Sequence, residues 1–288
     1  MQGTVDGFSY GLVTPVTAYL MACLGGALGL RCTTRSLLVA HSWRPGWLAL
    51  GSAAIGSGIW TMHFIAMMGF SVEEAPIYYD KALTFASLAV AIVMVGIGIF
   101  IVGYRGATGT ALFTGGTITG LGVATMHYLG MAGMRLRGTL EYNTLTVSAS
   151  VVIAVVAATA ALWAAAQVRG FLWSLGASLV MGLAVTGMHY TGMAALSVHL
   201  HGSSAAPSGG DSAAELLAPM MIGPLAFLLL AGVIVMFDPL MVMGKADLQS
   251  AAQGQRAPYP VPRSGDRHDP RAGRRPPQHP DSRTPQSW

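Results

Sequence analysis

Seven stretches of this chain, residues 9–30, 47–71, 82–103, 109–134, 144–168, 171–197 and 217–243, contain one Asp, Glu, Lys or Arg between them, Asp238. Each is long enough to cross a hydrocarbon core of roughly 30 Å as a helix. Backbone groups inside lipid must pair within their own segment, and these runs lack the period-two polarity of a barrel strand. The fold class expected is therefore all-α, a polytopic membrane protein with seven transmembrane helices. Only 10 % of the residues are charged, against roughly 25 % in an ordinary globular protein, which excludes a soluble single-domain enzyme.

An odd number of spans puts the two termini on opposite sides, and the cations choose which is which. Arg31, Arg35, Arg44, Arg105 and Arg169 follow spans one, three and five, and the tail adds eight more, against Lys81, Arg135 and Arg137 on the other side. That asymmetry predicts an N-terminus outside and a C-terminus in the cytoplasm. The N-terminus has no cation ahead of its first apolar stretch, so a cleaved signal peptide is not expected. Residues 1–243 form the membrane domain. Residues 244–288, rich in Pro and Arg with few aliphatic side chains, are expected to be a disordered basic cytoplasmic tail. The net charge of +4 lies on this tail, whose lack of any nucleic-acid-binding motif makes nucleic acid an improbable partner. Cys23 and Cys32 are too few for a cysteine-based zinc site and read as free thiols.

The string Met62-His63-Phe64-Ile65-Ala66-Met67 recurs as Met126-His127-Tyr128-Leu129-Gly130-Met131 and as Met188-His189-Tyr190-Thr191-Gly192-Met193. The histidines are 64 and 62 residues apart, one pair of spans per copy, so the architecture reads as three repeated two-helix hairpins plus a seventh helix. All three histidines lie on even-numbered spans, roughly 10–12 Å below the outer boundary at 1.5 Å per residue. Small residues recur around each one: Gly56, Gly120 and Gly182 seven before; Ser52, Gly116 and Ser178 eleven before; Ala66, Gly130 and Gly192 three after. Such residues let membrane helices approach closely, and the three histidine-bearing faces are expected to meet. A weaker echo links Tyr79-Asp80 and Ser87 with Tyr142-Asn143 and Ser150, without a convincing third copy.

The triple Met-His-Tyr/Phe-x-x-Met pattern on alternate spans resembles the MHYT domain of bacterial integral membrane sensors, over about residues 1–243. The resemblance implies a sensory domain that binds copper through the motif His and Met residues and responds to oxygen, carbon monoxide or nitric oxide. Family members often continue into cyclic-di-GMP synthesis and degradation domains. Here Gly209-Gly210-Asp211 is read as a chance tripeptide, with no such domain around it. The residues independently allow the metal. His at i and Met at i+4 share a helix face, so His63, Met67, His127, Met131, His189 and Met193 are the candidate ligands. Imidazole suits copper and zinc, and thioether sulfur selects Cu(I).

The leading functional expectation is a sensor without catalysis of its own, whose partners are the bilayer, copper, a diatomic gas and a cytoplasmic signalling protein in trans. A haem- or copper-containing redox protein and a metal transporter stand as alternatives. Met62, Met126 and Met188 read as packing residues. Phe64, Tyr128 and Tyr190 fit packing and support of the histidines equally well. Asp80 and Asn143 are expected helix caps, and His199 and His201 read as a solvated pair. Glu73, Glu74 and Glu141 read as an interfacial acidic ring, and Asp238 as a snorkelling or capping carboxylate. Acyl-transfer, phosphate-loop and zinc-protease motifs are absent.

Overall fold

A computed structural model describes residues 5–7, 9–72, 77–136, 138–167, 171–200 and 213–238. Glu73, Glu74, Arg137, Arg169, His201, Gly209-Gly210-Asp211 and the basic tail lie outside them. Seven helices follow one another: α1 (Val13–Ser36), α2 (Arg44–Met68), α3 (Lys81–Arg105), α4 (Gly109–Ala132), α5 (Thr144–Gln167), α6 (Phe171–Ala194) and α7 (Ala213–Met236). Six are long and apolar enough to cross a membrane, and α4 falls short only in hydropathy. Its 24 residues include six glycines and five threonines, which lower its hydropathy and let α3 and α5 approach closely. The chain is thus a multi-pass helical membrane protein.

One helix boundary differs from the sequence expectation, for a physical reason. The first span was expected to stop before Arg31, but α1 runs on to Ser36. Arg35 is buried there because it meets a carboxylate: its Nη2 donates to Asp238 Oδ1 at 2.9 Å, and Asp238 is itself buried just beyond α7. The Arg35 guanidinium also lies 5.4 Å from the Trp47 ring centre. Asp238 therefore neither snorkels nor caps; it neutralises a buried cation. Both cysteines are buried free thiols, as expected.

Each helix packs on the next and α6 returns to α1, closing a ring of six, while α7 lies outside against α2 and α1. Small residues set the seams. A Cβ added to Gly56 of α2 would stand 2.8 Å from Ile92 Cα of α3, and one on Gly120 of α4 would stand 2.7 Å from the Val155 nitrogen of α5. Gly182 of α6 meets Cys23 of α1 in the same way. The residues eleven before each histidine line the same three seams, through Ser52 with Gly96, Gly116 with Thr159, and Ser178 with Gly26. These glycines thus join each even helix to the following odd one rather than the even helices to each other. α2 touches α4 and α6 over only a short stretch.

Three short ribbons, expected only as loops, close the histidine-bearing end. β1 (Val5–Asp6) pairs antiparallel with β2 (Ser71–Val72), β3 (Tyr78–Tyr79) with β4 (Met134–Arg135), and β5 (Gly138–Tyr142) with β6 (Leu196–Leu200). Each ribbon ties the start of one helix pair to its end. The sequence echo without a third copy is completed here: the Asp80 and Asn143 nitrogens donate to the Gly133 and Ala195 carbonyls, and Ser9 does the same to Gly69. Ser9 stands where the other copies carry Asp and Asn.

Candidate metal centre

His63, His127 and His189 come from α2, α4 and α6, each five residues before its helix ends. All three rings are 1 % exposed and converge on one point. The Nδ1 atoms form a triangle with edges of 3.0 Å (His63–His189), 3.2 Å (His63–His127) and 3.2 Å (His127–His189). The rings stand as a three-bladed propeller, with centroids 5.0 Å apart and planes at 79–90°.

The +3 position of each motif shapes this layer. A Cβ on Gly130 would lie 2.5 Å from His63 Nε2, and one on Gly192 would lie 2.5 Å from His127 Nε2. The backbone of each following even helix is thus seated directly on the previous ring. No side chain larger than hydrogen leaves both rings where they are.

Hydrogen bonding does not satisfy the trio. A neutral imidazole carries one proton on its two nitrogens, so each of three mutually adjacent Nδ1 atoms bears either a proton or a lone pair. At least one of the three contacts must then set proton against proton or lone pair against lone pair. His63 Nε2 and His127 Nε2 are also buried without a hydrogen-bond partner, a burden of about 1–3 kcal/mol each. Hydrogen bonds among the three rings therefore leave at least one contact unmatched. A cation at the centre would instead face three lone pairs. It would sit about 1.8 Å from each nitrogen, a few tenths short of the roughly 2.0–2.1 Å of a metal–imidazole bond, so a small outward movement of the rings accommodates it. The histidines are the one group of three or more His, Cys, Asp or Glu side chains able to hold a metal among the described residues.

The motif methionines sit one turn beyond the histidines. Met67 and Met131 are fully buried, and Met193 is half-buried against the same core. Met62, Met126 and Met188 are buried as well, in line with packing. The aromatic residue after each His lies edge-on to it, at 4.6 Å for Phe64, 4.8 Å for Tyr128 and 5.0 Å for Tyr190. Tyr128 is anchored away from the trio, its hydroxyl 2.6 Å from Ser150 Oγ. In the first copy Ser87 serves Trp60 instead, at 3.0 Å from the indole Nε1.

The outlying candidates resolve as ordinary structure. Asp80 Oδ1 accepts from the Leu83 nitrogen at 3.1 Å and Oδ2 from Arg135 at 3.2 Å. Asn143 Oδ1 accepts from the Leu145 and Thr146 nitrogens. Both are helix caps, as expected. The backbone bond at Leu83 and the Arg135 guanidinium hold the Asp80 carboxyl below its ordinary value. His199, on β6, faces Glu141 of β5 at 3.4 Å, with both side chains largely in solvent.

A helical membrane protein with a buried three-histidine cluster repeated by sequence is the class these features define. The profile of the MHYT family, described as a bacterial signalling protein N-terminal repeat, matches residues 56–115 and 120–178. The chain belongs to that family. It is 34 % identical to the bifunctional diguanylate cyclase/cyclic di-GMP phosphodiesterase MucR of Pseudomonas aeruginosa over 235 residues, 80 % of this chain and 34 % of that protein. It is 34 % identical to the cyclic di-GMP phosphodiesterase NbdA of the same organism over 209 residues, covering 68 % of this chain and 26 % of that protein. The signaling protein YkoW of Bacillus subtilis matches at 29 % over 187 residues, 62 % of this chain and 23 % of that protein. The chain thus spans about a third or less of the length of these relatives. No solved structure matches it. A role in membrane signalling follows from this kinship.

Proposed function

We propose that the chain is a seven-span copper sensor. His63, His127 and His189 hold the metal, with Met67, Met131 and Met193 as the sulfur donors beside them. The observation that carries this reading is the Nδ1 triangle, whose nitrogens cannot satisfy one another. Copper held there supplies a one-electron redox couple and affinity for oxygen, carbon monoxide or nitric oxide, small neutral molecules that reach the site through lipid. The three imidazoles bind and orient, and the ring of small-residue seams carries a change in ring spacing to the opposite end of the bundle. On this reading the three helix pairs and α7 all span the inner membrane, with the N-terminus outside and the C-terminus in the cytoplasm. The output passes to a cytoplasmic signalling protein, cyclic-di-GMP enzymes being the natural class given the activities named for MucR and NbdA, and this chain performs no catalysis.

The alternatives fit the geometry less well. Imidazole rings packed 5.0 Å apart leave no room for a haem between them. A cation path to the opposite end would meet apolar walls and then the arginines Arg44 and Arg105. Metal analysis of the detergent-purified chain is the test. About one copper per chain is expected, with loss to background when His63, His127 and His189 are all replaced by Ala. A chain that takes up no copper, and shows no copper-dependent spectrum after reconstitution, overturns the reading.

A further inference from the structure

Below the histidine layer the even helices separate, and a cavity of about 450 Å³ occupies the middle of the ring. That volume falls within the roughly 300–1,000 Å³ of small-molecule sites. Its deep end is lined by Met181, Val185 and Met188, the last of these next to His189 in the chain. Its other end is lined by Ser36, Arg44, Arg105 and Gln167. The space exists because α5 presents alanines along one face, including Ala154, Ala158, Ala161 and Ala165, where larger side chains would fill the ring. From Ala154 to Gln167 the wall is thirteen residues long, about 20 Å at 1.5 Å per residue. One acyl chain occupies a similar depth in a leaflet, half of a hydrocarbon core roughly 30 Å thick.

The two ends differ in chemistry. The shaft is almost wholly apolar, and no Asp or Glu lines any part of it. At the open end Arg44 rests over the Tyr104 ring at 5.3 Å and donates to the Gly103 carbonyl. Its Nε is buried without a partner. Neither Arg44 nor Arg105 is paired with a carboxylate among the described residues. A long apolar shaft beneath two cations is complementary to one kind of molecule.

We propose that this hollow binds a single-chain lipid with an anionic head, the tail in the alanine-walled shaft and the head between Arg44 and Arg105. The site is independent of whether the histidines hold a metal. A carboxylate and a phosphate head share the required chemistry, so a fatty acid and a lysophospholipid are the two sources to separate.

The test uses the full chain, purified and delipidated in detergent, titrated with palmitate, lysophosphatidate and hexadecanol, with bound lipid counted by native mass spectrometry. Saturable binding of one palmitate or one lysophosphatidate is expected, with hexadecanol at least tenfold weaker. The tighter of the two acids identifies the head. Arg105→Gln is expected to weaken the acids about tenfold and leave hexadecanol unchanged. Ala161→Leu, which narrows the shaft, is expected to weaken all three, with Ala165→Leu as a second shaft variant should the first fail to fold. Hexadecanol binding as tightly as the acids overturns the proposal. So does the absence of saturable binding, or affinities unmoved by both the Arg105 and the shaft variants.

Discussion

The same three helices, α2, α4 and α6, behave in opposite ways at their two ends. At the histidine end they close until one backbone rests on the next helix's imidazole, and polar atoms are held together without satisfaction. At the arginine end they stand apart around a hollow with apolar walls. Tight packing therefore marks where charge or polarity has to be focused, and looseness marks where a guest of the protein's own solvent fits. The ribbons are all at the closed end, and the buried Arg35–Asp238 pair sits at the other.

The comparison is most easily broken at the arginine end. Asp238→Ala strands Arg35 in a buried position, and breaking such a pair costs about 3–5 kcal/mol, to be read as lower thermal stability in detergent with the histidine layer's metal content unchanged. A combined Arg35→Met/Asp238→Leu chain should recover most of that loss. Next comes the closed end: Gly130→Ala pushes a methyl into His63 Nε2, and if the proposed copper site holds, displacing the support of a ligand should weaken metal binding by about 10–100-fold. Gly192→Ala should do the same through His127, whereas Gly46→Ala, which meets open space, should change neither binding nor stability. Tyr128→Phe removes the bond to Ser150 and should cost about 1 kcal/mol, measurable in the same melt. The smallest effect is at the ribbon between β3 and β4. The Asp80 carboxyl is held below its ordinary value of 3.8, so its contribution is complete above that pH and is lost as the pH falls through the lower folded value. Hydrogen exchange at Leu83 should rise there, and Asp80→Asn should remove the pH dependence.

The seven helices and the convergence of the histidines were legible in the sequence because the first rests on apolar length and the second on a sixty-residue repeat. The end of α1 beyond Arg31 was not, since fixed charges such as Arg35 read as a boundary until a distant partner is known. Reading Gly56, Gly120 and Gly182 as contacts between the histidine faces placed the right residues in the wrong seam, because offsets along one helix do not say which neighbour lies opposite. The alternation of Leu196, Ser197, Val198, His199 and Leu200 did carry a strand signal, but its first two residues continue the apolar run of span six. Two-residue ribbons such as β1 and β2 leave no periodicity to read. Ser9 was hidden for a different reason: its place in the repeat is defined by a backbone bond to Gly69, which any non-proline residue can make.

The ribbons mark out units of the chain, 5–72, 78–135 and 138–200, that are out of phase with the profile matches at 56–115 and 120–178. Each unit is stitched at its own two ends and delivers a single imidazole. Copying such a module enlarges the circle and adds one imidazole in the same step, so three copies yield a three-nitrogen nest whose size is written into the number of tandem units.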